Sequence, residues 1–562
     1  MADMKLNPHP TIPPPDGPVL VAILDGWGAN VEDEFNAVAS ADTPVTDALK
    51  ARGAAHARTV YAHGTWVGLP SDADMGNSEV GHNALGSGQV IDQGARLVDL
   101  ALSEGHMFTG DGWRRISRSF ADHAVHFIGL LSDGGVHSRY DQLVACVRGA
   151  AERGAKKVRV HALADGRDVP DGSSLDFFAQ LQTDLAAMSS LGCDARIASG
   201  GGRMVVSMDR YEADWEMVER GWRAHVLGKA PHTFTDAVEA VRTLRGAEDA
   251  PGGLTTDQYL PPFVIVGADD DKPVGTVEDG DAVVLFNFRA DRMVELSKAF
   301  EYESFDKFDR ERWPKDLNFV GMMQYDGDLL LPKRFLVPPP EIRGTSGEYL
   351  ARNGVATFAC SETQKFGHVT FFWNGNRSGF FDEKLETFVE VPSDNIPFNL
   401  RPRMKAAEIT EAGIAALRSG KYKMVRINYA NPDMVGHTGD LKAAKEACAF
   451  TDACLGRLLA ACDEVGGRFL VTSDHGNADD MVQRDKKTHK PLTDAKTGRN
   501  LALTSHTLAP VPVYLGGAGL PASVVFRDDL PEAGLANLTA TYINLLGLEA
   551  PAEYKPSLVA SK

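Results

Sequence analysis

Cysteine is scarce in this sequence: six in 562 residues (Cys146, Cys193, Cys360, Cys448, Cys454 and Cys462), none in a CxxC pair. That excludes a dense disulfide framework and suits reduced, mostly buried thiols in a cytosolic protein. Long apolar runs are missing too, and none approaches the length needed to span a membrane. Positive charge is in deficit, with 58 Lys and Arg against 77 Asp and Glu and a net charge of −19. A general nucleic-acid binder needs a basic surface for phosphates, so no nucleic-acid partner is expected. Small anionic substrates stay open, because a local cluster of Arg and metal can override a distant negative field. The stretch through Gly17 is Pro-rich without an apolar h-region, and the closing Val559-Ala560-Ser561-Lys562 is not an SKL-type address. Neither secretion nor a peroxisomal route is expected, and a cytoplasmic setting is.

What is present is an ordinary soluble composition, 43% hydrophobic and 24% charged, at a length that exceeds one hydrophobic core. Two or more domains are therefore expected. After the Pro-rich tail of residues 1–18, Val19 to Leu24 is a continuous apolar run between Pro18 and Asp25-Gly26, which suits a buried parallel strand. The same grammar returns four times. Ala124 to Leu131 leads into Ser132 to Ser138, which includes His137; Val158 to Leu163 leads into Asp165-Gly166-Arg167-Asp168. Ala195 to Ala198 leads into Ser199-Gly200-Gly201-Gly202-Arg203, and Ala282 to Phe288 into Arg289-Ala290-Asp291-Arg292. Open α/β sheets bind ligands at the carboxyl ends of their strands, so these endings predict a site lined with positive charge. Helical stretches such as Tyr140 to Arg153 lie between them and predict βαβ crossovers.

Arg334 to Pro340, ending in three prolines, reads as a stiff interdomain strap. Beyond it, helices are predicted at Ala406 to Arg418 and Leu441 to Asp463, and strands at Met424 to Asn428, Phe469 to Thr472 and Val511 to Leu515. Gln483 to Asn500, polar and basic with no period, reads as a mobile surface loop.

Ser78 sits in Ser71-Asp72-Ala73-Asp74-Met75-Gly76-Asn77-Ser78-Glu79-Val80-Gly81-His82-Asn83, between two glycines and close to amide and carboxylate side chains. Taken alone, the loop reads as an N-capping serine in a glycine turn. A serine at a helix start also has backbone N–H groups aimed at any anion it carries, which suits a phosphoserine. The last third of the chain favours the second reading. Asp433 and His437 in Asn431-Pro432-Asp433-Met434-Val435-Gly436-His437 are four apart, so one helical turn or a compact loop aims both at one ion. Asp474-His475-Gly476-Asn477 follows a strand directly, and His506 lies further on. With Asp25 these make three carboxylates and three imidazoles without a thiolate, a donor set that suits Mn²⁺, with Mg²⁺, Co²⁺ or Zn²⁺ as alternatives. Burying so many charges without a cation would be very costly, and a pair of such ions is the usual apparatus of in-line phosphoryl displacement.

Met75 to His82, Asn431 to Gly439 and Asp474 to Asn477 together resemble the cofactor-independent phosphoglycerate mutases of the alkaline phosphatase superfamily. Asp165 to Asp168, Phe286 to Arg292 and Ser361-Glu362-Thr363-Gln364-Lys365 match as well, in the family's order, from about Val19 to near the C-terminus. The resemblance implies an α/β fold of two domains: an alkaline-phosphatase-like phosphatase domain (19–91 and 340–562) and an inserted α/β transferase domain (92–339). It implies Ser78 as nucleophile, Asp433, His437 and His506 around one divalent metal, and Asp25, Ser78, Asp474 and His475 around the other. Lys365 is similar to the family's lysine that balances charge on the transferring group. Arg289 and Arg292 are expected to hold the phosphate, and His137, Arg167, Asp168, Arg203 and Arg210 the glycerate. The interval from Arg203 to Arg210 follows a plant-like branch; the commoner bacterial pattern is slightly shorter there, so Arg203 rests on the motif more firmly than Arg210.

The implied reaction interconverts 3-phosphoglycerate and 2-phosphoglycerate through a phosphoserine on Ser78, in glycolysis and gluconeogenesis, without 2,3-bisphosphoglycerate. Asp168 is the candidate to steer or deprotonate the glycerate hydroxyl. Water competes for the phosphoryl group, so domain closure before transfer is expected. A monomer is the family expectation. A metal-dependent phosphatase or phosphopentomutase would share the metal ligands and lack the arginines, and a non-catalytic scaffold would lack the nucleophile or a ligand.

Overall fold

Apolar runs of six to eight residues, too short for a helix to span a core, become strands buried on both faces, as Val19–Leu24 and Ala124–Leu131 show. The computed structural model describes residues 4–69, 72–210, 212–246, 254–326, 329–338, 340, 342–485, 488–493 and 498–562. Ser71 of the serine loop, Pro339 of the proline strap and residues 486–487 and 494–497 of the polar stretch lie outside them. The chain forms two compact units, one of Met1–Gln93 with Glu341–Lys562 and one of Gly94–Pro340.

In chain order the strands of the two seven-stranded sheets are β1 (Val19–Leu24), β2 (Ala57–Val60), β3 (Ala124–Leu131), β4 (Lys157–Ala164), β5 (Asp194–Gly202), β6 (His232–Phe234) and β7 (Phe263–Ile265). They continue as β8 (Ala282–Leu285), β9 (Asn318–Gly321), β10 (Thr357–Glu362), β11 (Glu386–Val391), β12 (Met424–Tyr429), β13 (Arg468–Thr472) and β14 (Val511–Gly516). The first unit's sheet runs β11-β10-β12-β1-β13-β14-β2, parallel from β11 to β13, with β14 antiparallel to both its neighbours. The 441–464 and 406–418 helices pack on each other and bury Leu455, Leu458 and Ile409 in the core that also holds Leu20, Ala22 and Leu24 of β1. The Pro-rich start packs into this unit: Leu6 and Ile12 are buried, and the His9 N–H donates to the Gly547 carbonyl at 2.8 Å.

The second unit's sheet runs β6-β7-β5-β4-β3-β8-β9, parallel except that β7 is antiparallel to β5. Two strands differ from their sequence-based bounds by three or more residues at one end. β5 extends through Ser199–Gly202, because β4 pairs with it as far as Gly202 and β7 adds ladder partners at Ser199 and Gly200. β8 stops at Leu285, because the chain leaves the ladder there and the Phe288 N–H donates to the His137 carbonyl at 2.9 Å. In the polar stretch from Gln483 to Asn500, the described residues fold back on themselves through bridges Arg484↔Pro491 and Thr493↔Asn500. Among the described residues no helix is long and apolar enough to cross a membrane.

Candidate active site

Ser78 is the first residue of the helix Ser78–Ser87 and is not its cap. Asn77 takes that role, its side chain accepting from the Val80 N–H at 3.1 Å. An N-capping hydroxyl would be occupied by the backbone; with Asn77 in that place, the Ser78 Oγ is available for other partners. It lies 3.0 Å from His475 Nε2 and accepts from Lys365 Nζ at 2.5 Å.

Strand ends bring the rest of the first cluster together. Asp25 follows β1, Asp474 and His475 follow β13, and Lys365 lies in the short 363–367 helix after β10. Asp433 sits in the helix Asn431–Gly436 after β12, with His437 closing that helix, so the four-residue spacing is one helical turn. All of these and His506 are buried. Lys365 Nζ donates to Asp25 Oδ1 at 2.6 Å and to Asp433 Oδ2 at 2.7 Å. Burial works against a charged Lys365, but Asp25 and Asp433 outweigh it and raise its pKa. One ammonium does not balance three carboxylates. Burial first, then the charge of Asp474, pushes the Asp25 carboxyl up to about 7.

The imidazoles show what the cluster is built to hold. His437 Nδ1 lies 2.6 Å from the Thr504 carbonyl, His506 Nδ1 2.8 Å from the Gly76 carbonyl, and His475 Nδ1 3.2 Å from the Gly476 carbonyl. A carbonyl only accepts, so each Nδ1 carries the proton and each Nε2 presents a lone pair. Those lone pairs converge. His437 and His506 Nε2 are 3.0 Å apart and lie 3.1 and 3.3 Å from Asp433 Oδ1. His475 Nε2 lies 3.6 Å from Asp25 Oδ1 and 3.5 Å from Asp474 Oδ2, and that Asp474 oxygen is buried without a hydrogen-bond partner among the described residues. Lone pairs at these separations repel unless a cation sits among them. Two such groups stand out, Asp433 with His475 and His506, and Asp25 with Asp474 and His475. Oxygen and imidazole donors of this kind fit divalent ions.

The second unit collects the other predicted residues. Arg203 Nη1 donates to Asp165 Oδ1 at 2.7 Å and to Asp168 Oδ2. Asp165 also accepts from the Arg167 and Asp168 N–H groups, both at 3.1 Å, and so sets the turn that carries both residues. Asp291 pairs with Arg289 Nε at 3.1 Å, with Arg210 Nη1 at 3.4 Å, and lies 3.6 Å from His137 Nδ1. Burial opposes its ionisation, yet Arg289 and Arg210 hold its carboxyl below the ordinary range. Arg292 donates to the Met208 carbonyl, while its Nε and that of Arg203 are buried with no hydrogen-bond partner among the described residues. Burial, then Arg203, Arg289, Arg292 and Arg167, pushes His137 well below the usual histidine range. Guanidinium groups gathered this densely with N–H donors to spare fit a small polyanion.

All seven residues of the first cluster and Lys365 are thus brought together, and so, separately, are the seven of the second. Sequence reasoning assigned no role to Asp165 and Asp291, which organise the arginines; acids inside Arg-rich strand endings were the available signal. It also passed over His82 and Asn428. Asn428 Nδ2 donates to Asp25 Oδ2 at 2.8 Å, and His82 Nδ1 lies 3.4 Å from Asp474 Oδ2.

Buried lone pairs that call for divalent cations, at the carboxyl ends of parallel strands, define a metalloenzyme, and the Metalloenzyme superfamily matches residues 17–550. Within it the similarity narrows. The sequence is 58% identical over 557 residues to "2,3-bisphosphoglycerate-independent phosphoglycerate mutase 1" of Arabidopsis thaliana, covering 99% of this chain and 98% of that one. It is 58% identical over 558 residues to the 2,3-bisphosphoglycerate-independent phosphoglycerate mutase of Trypanosoma brucei brucei, covering 99% of both. A Leishmania mexicana phosphoglycerate mutase, solved at low cobalt concentration, superposes with a TM-score of 0.96 at 57% identity over 99% of this chain and 100% of that one. The chain belongs to the 2,3-bisphosphoglycerate-independent phosphoglycerate mutases.

Proposed function

We propose that this chain interconverts 3-phosphoglycerate and 2-phosphoglycerate by phosphoryl transfer through Ser78, without 2,3-bisphosphoglycerate. The observation that carries the reading is the Ser78 hydroxyl itself: first in its helix, uncommitted to capping, and held between Lys365 Nζ and His475 Nε2. Asp433, His437 and His506 would hold one divalent ion, and Asp25, Ser78, Asp474 and His475 the other, Mn²⁺ being the ion we favour over Mg²⁺ or Co²⁺. Such ions lower the pKa of the nucleophile and stabilise charge on the transferring group.

The residues of the chain do the rest. Lys365 Nζ donates toward the hydroxyl and holds positive charge where the phosphoryl group arrives. The backbone N–H groups at the start of the 78–87 helix favour the added negative charge. Arg289 and Arg292 bind the phosphate, and His137, Arg167, Arg203 and Arg210 orient the glycerate. Asp168, steered by its pairing with Arg203, takes the proton of the hydroxyl that accepts the phosphoryl group on its return. The same substrate molecule must be presented to both clusters, which makes domain closure a requirement of the reaction and keeps water from competing. We place this activity in the cytoplasm, in a monomer acting on a small-molecule substrate with no nucleic-acid partner.

Phosphorus NMR tests the reading. Purified protein with Mn²⁺ and 3-phosphoglycerate, and no 2,3-bisphosphoglycerate, is expected to form 2-phosphoglycerate, and EDTA is expected to stop it. Release of inorganic phosphate as the main product would overturn the mutase assignment in favour of a phosphatase.

A further inference from the structure

Three histidines of the second unit are buried, take no part in the proposed chemistry, and are joined in one line. Asp281, ahead of β8, lies 3.1 Å from His126 Nε2 on β3. His126 Nδ1 lies 2.9 Å from His161 Nε2 on β4, and His161 Nδ1 lies 2.7 Å from the Ser199 Oγ on β5. The same Ser199 oxygen is 2.7 Å from His225 Nδ1, and His225 Nε2 is 3.0 Å from the Ser207 Oγ. His126, His161, Ser199, His225 and Ser207 are each no more than 1% exposed.

Local structure explains the alignment. The β4–β5 register jumps between Val160, opposite Ile197, and His161, opposite Ser199, so β5 carries one extra residue. Such a bulge re-aims the side chains beyond it, and here it sets Ser199 opposite His161. His225 ends the helix Trp215–His225, and Gly221 in that helix leaves the room Ser207 occupies: a Cβ there would lie 1.7 Å from the Ser207 Oγ.

Donors and acceptors resolve in one direction only. Burial opposes ionisation of Asp281, but hydrogen bonds from His126 and from the Glu278 and Ala124 N–H groups keep its carboxyl low, so it accepts and His126 carries its proton on Nε2. His126 Nδ1 then accepts from His161 Nε2–H, and His161 Nδ1 accepts from the Ser199 hydroxyl. Ser199 in turn accepts from His225 Nδ1–H, and His225 Nε2 accepts from the Ser207 hydroxyl. Every imidazole is neutral in this scheme. Burial lowers the pKa of all three, and the charge of Arg159 adds to that effect at His126 and His161.

The line ends at a strained residue in a place that matters. Ser207 has φ +62°, in the left-handed region that disfavours residues other than glycine. It lies between Arg203 and Arg210, and the carbonyl of the next residue, Met208, accepts from Arg292. We propose that the Asp281–His126–His161–Ser199–His225–Ser207 chain is a positioning device for these arginines. Anchored at a carboxylate on one side of the sheet, it fixes a tautomer at each step and locks Ser207, and with it the 204–209 segment. His225 and Ser207 are positioning residues on this account, and the inference rests on the substrate role proposed above for Arg203, Arg210 and Arg292.

The test combines spectroscopy with kinetics on the full chain. With ¹⁵N-labelled histidine, three imidazoles are expected to stay neutral from pH 6 to 8, His126 and His161 protonated on Nε2 and His225 on Nδ1. Ser199→Ala, which deletes one hydroxyl at the middle of the line and is conservative in a buried strand, is expected to release His225 into mixed tautomers. It should also raise KM for 3-phosphoglycerate about three- to tenfold, the size of one buried hydrogen bond, with a smaller change in kcat. Ser207→Gly, which relieves the backbone strain and deletes the hydroxyl, is expected to raise KM similarly without loss of thermal stability. Protonation or tautomer exchange in the wild-type imidazoles overturns the inference, as does a Ser199→Ala variant with wild-type KM and His225 signals. A wild-type protein without mutase turnover would instead overturn the functional reading, and the imidazole signals would still decide whether the line exists.

Discussion

The Lys365 ammonium lies 2.5 Å from the Ser78 hydroxyl oxygen while also donating to Asp25 at 2.6 Å and to Asp433 at 2.7 Å. One cation therefore serves as partner to the nucleophile and as counter-charge to carboxylates on two different strand ends. Removing it should separate those roles. Lys365→Met is expected to lower kcat by about 10²- to 10³-fold, the usual cost of deleting a preorganised charge at the transferring group. It should also leave the buried carboxylates more dependent on metal, so that the rise in unfolding temperature on adding Mn²⁺ exceeds that of the wild type. Thermal unfolding with and without metal, alongside steady-state turnover, checks both. An unchanged kcat would remove Lys365 from the transfer step.

Gly81 makes a second, steric demand on the nucleophile. It lies one turn after Ser78, and a Cβ there would meet the Asp474 carbonyl oxygen at 2.6 Å and the Asp474 Cβ at 3.0 Å. The close approach seats the start of the 78–87 helix directly on the segment that carries Asp474 and His475. Gly81→Ala is expected to push the helix off that seat and shift the Ser78 hydroxyl relative to His475. A displacement approaching 1 Å lowers kcat by about 10- to 100-fold. Wild-type turnover by Gly81→Ala would show that the helix start tolerates displacement.

The sheet was largely legible in the sequence because its central strands are continuous apolar runs bounded by polar turns, as at Val19–Leu24 and Val511–Gly516. The strand bounds were less so. Nothing local shows that β4 and β7 will pair with the glycine run and turn it into strand. Asp433 and His437 were readable as a pair because one helical turn relates them, whereas His506 lies on a loop and its place beside them could be assigned only by resemblance. The capping role of Asn77 was hidden because Asn and Ser compete for the same position. The histidine line was hidden for another reason: its members are spread from 126 to 281, and a lone histidine inside an apolar run, as at His126 and His161, carries no pattern.

Asp291 is the counter-charge of the arginine cluster, lying within 3.1 to 3.6 Å of Arg289, Arg210 and His137. Asp291→Asn keeps the shape and removes the charge, leaving buried guanidinium groups facing each other. A loss of about 3–5 kcal/mol is the usual size of such a disruption. An anion that occupies the cluster should restore part of it. Inorganic phosphate is therefore expected to raise the unfolding temperature of Asp291→Asn by more than it raises that of the wild type. Equal shifts in the two proteins would show that phosphate does not bind among these arginines.

Glu295 supplies a pH signature from the same unit. It is 2% exposed, and its Oε1 accepts from the Glu212 N–H at 2.9 Å. Burial first, then the charge of Asp209, pushes its carboxyl up to about 9. The sign follows from proton counting. Between the ordinary glutamate range and about pH 9 the folded chain keeps this proton while the unfolded chain has lost it, so the group's contribution to stability falls as pH rises, by about 1.4 kcal/mol per pH unit. Glu295→Gln mimics the protonated form and cannot lose the proton. The variant is expected to match the wild type below the ordinary glutamate range, where the side chain is neutral in both states, and to gain on it steadily as pH rises above that range. Denaturant unfolding at several pH values from 5 to 9 measures the difference directly. A difference that stays flat across this range, or one that shrinks as pH rises, would show that Glu295 is ionised in the folded protein at neutral pH.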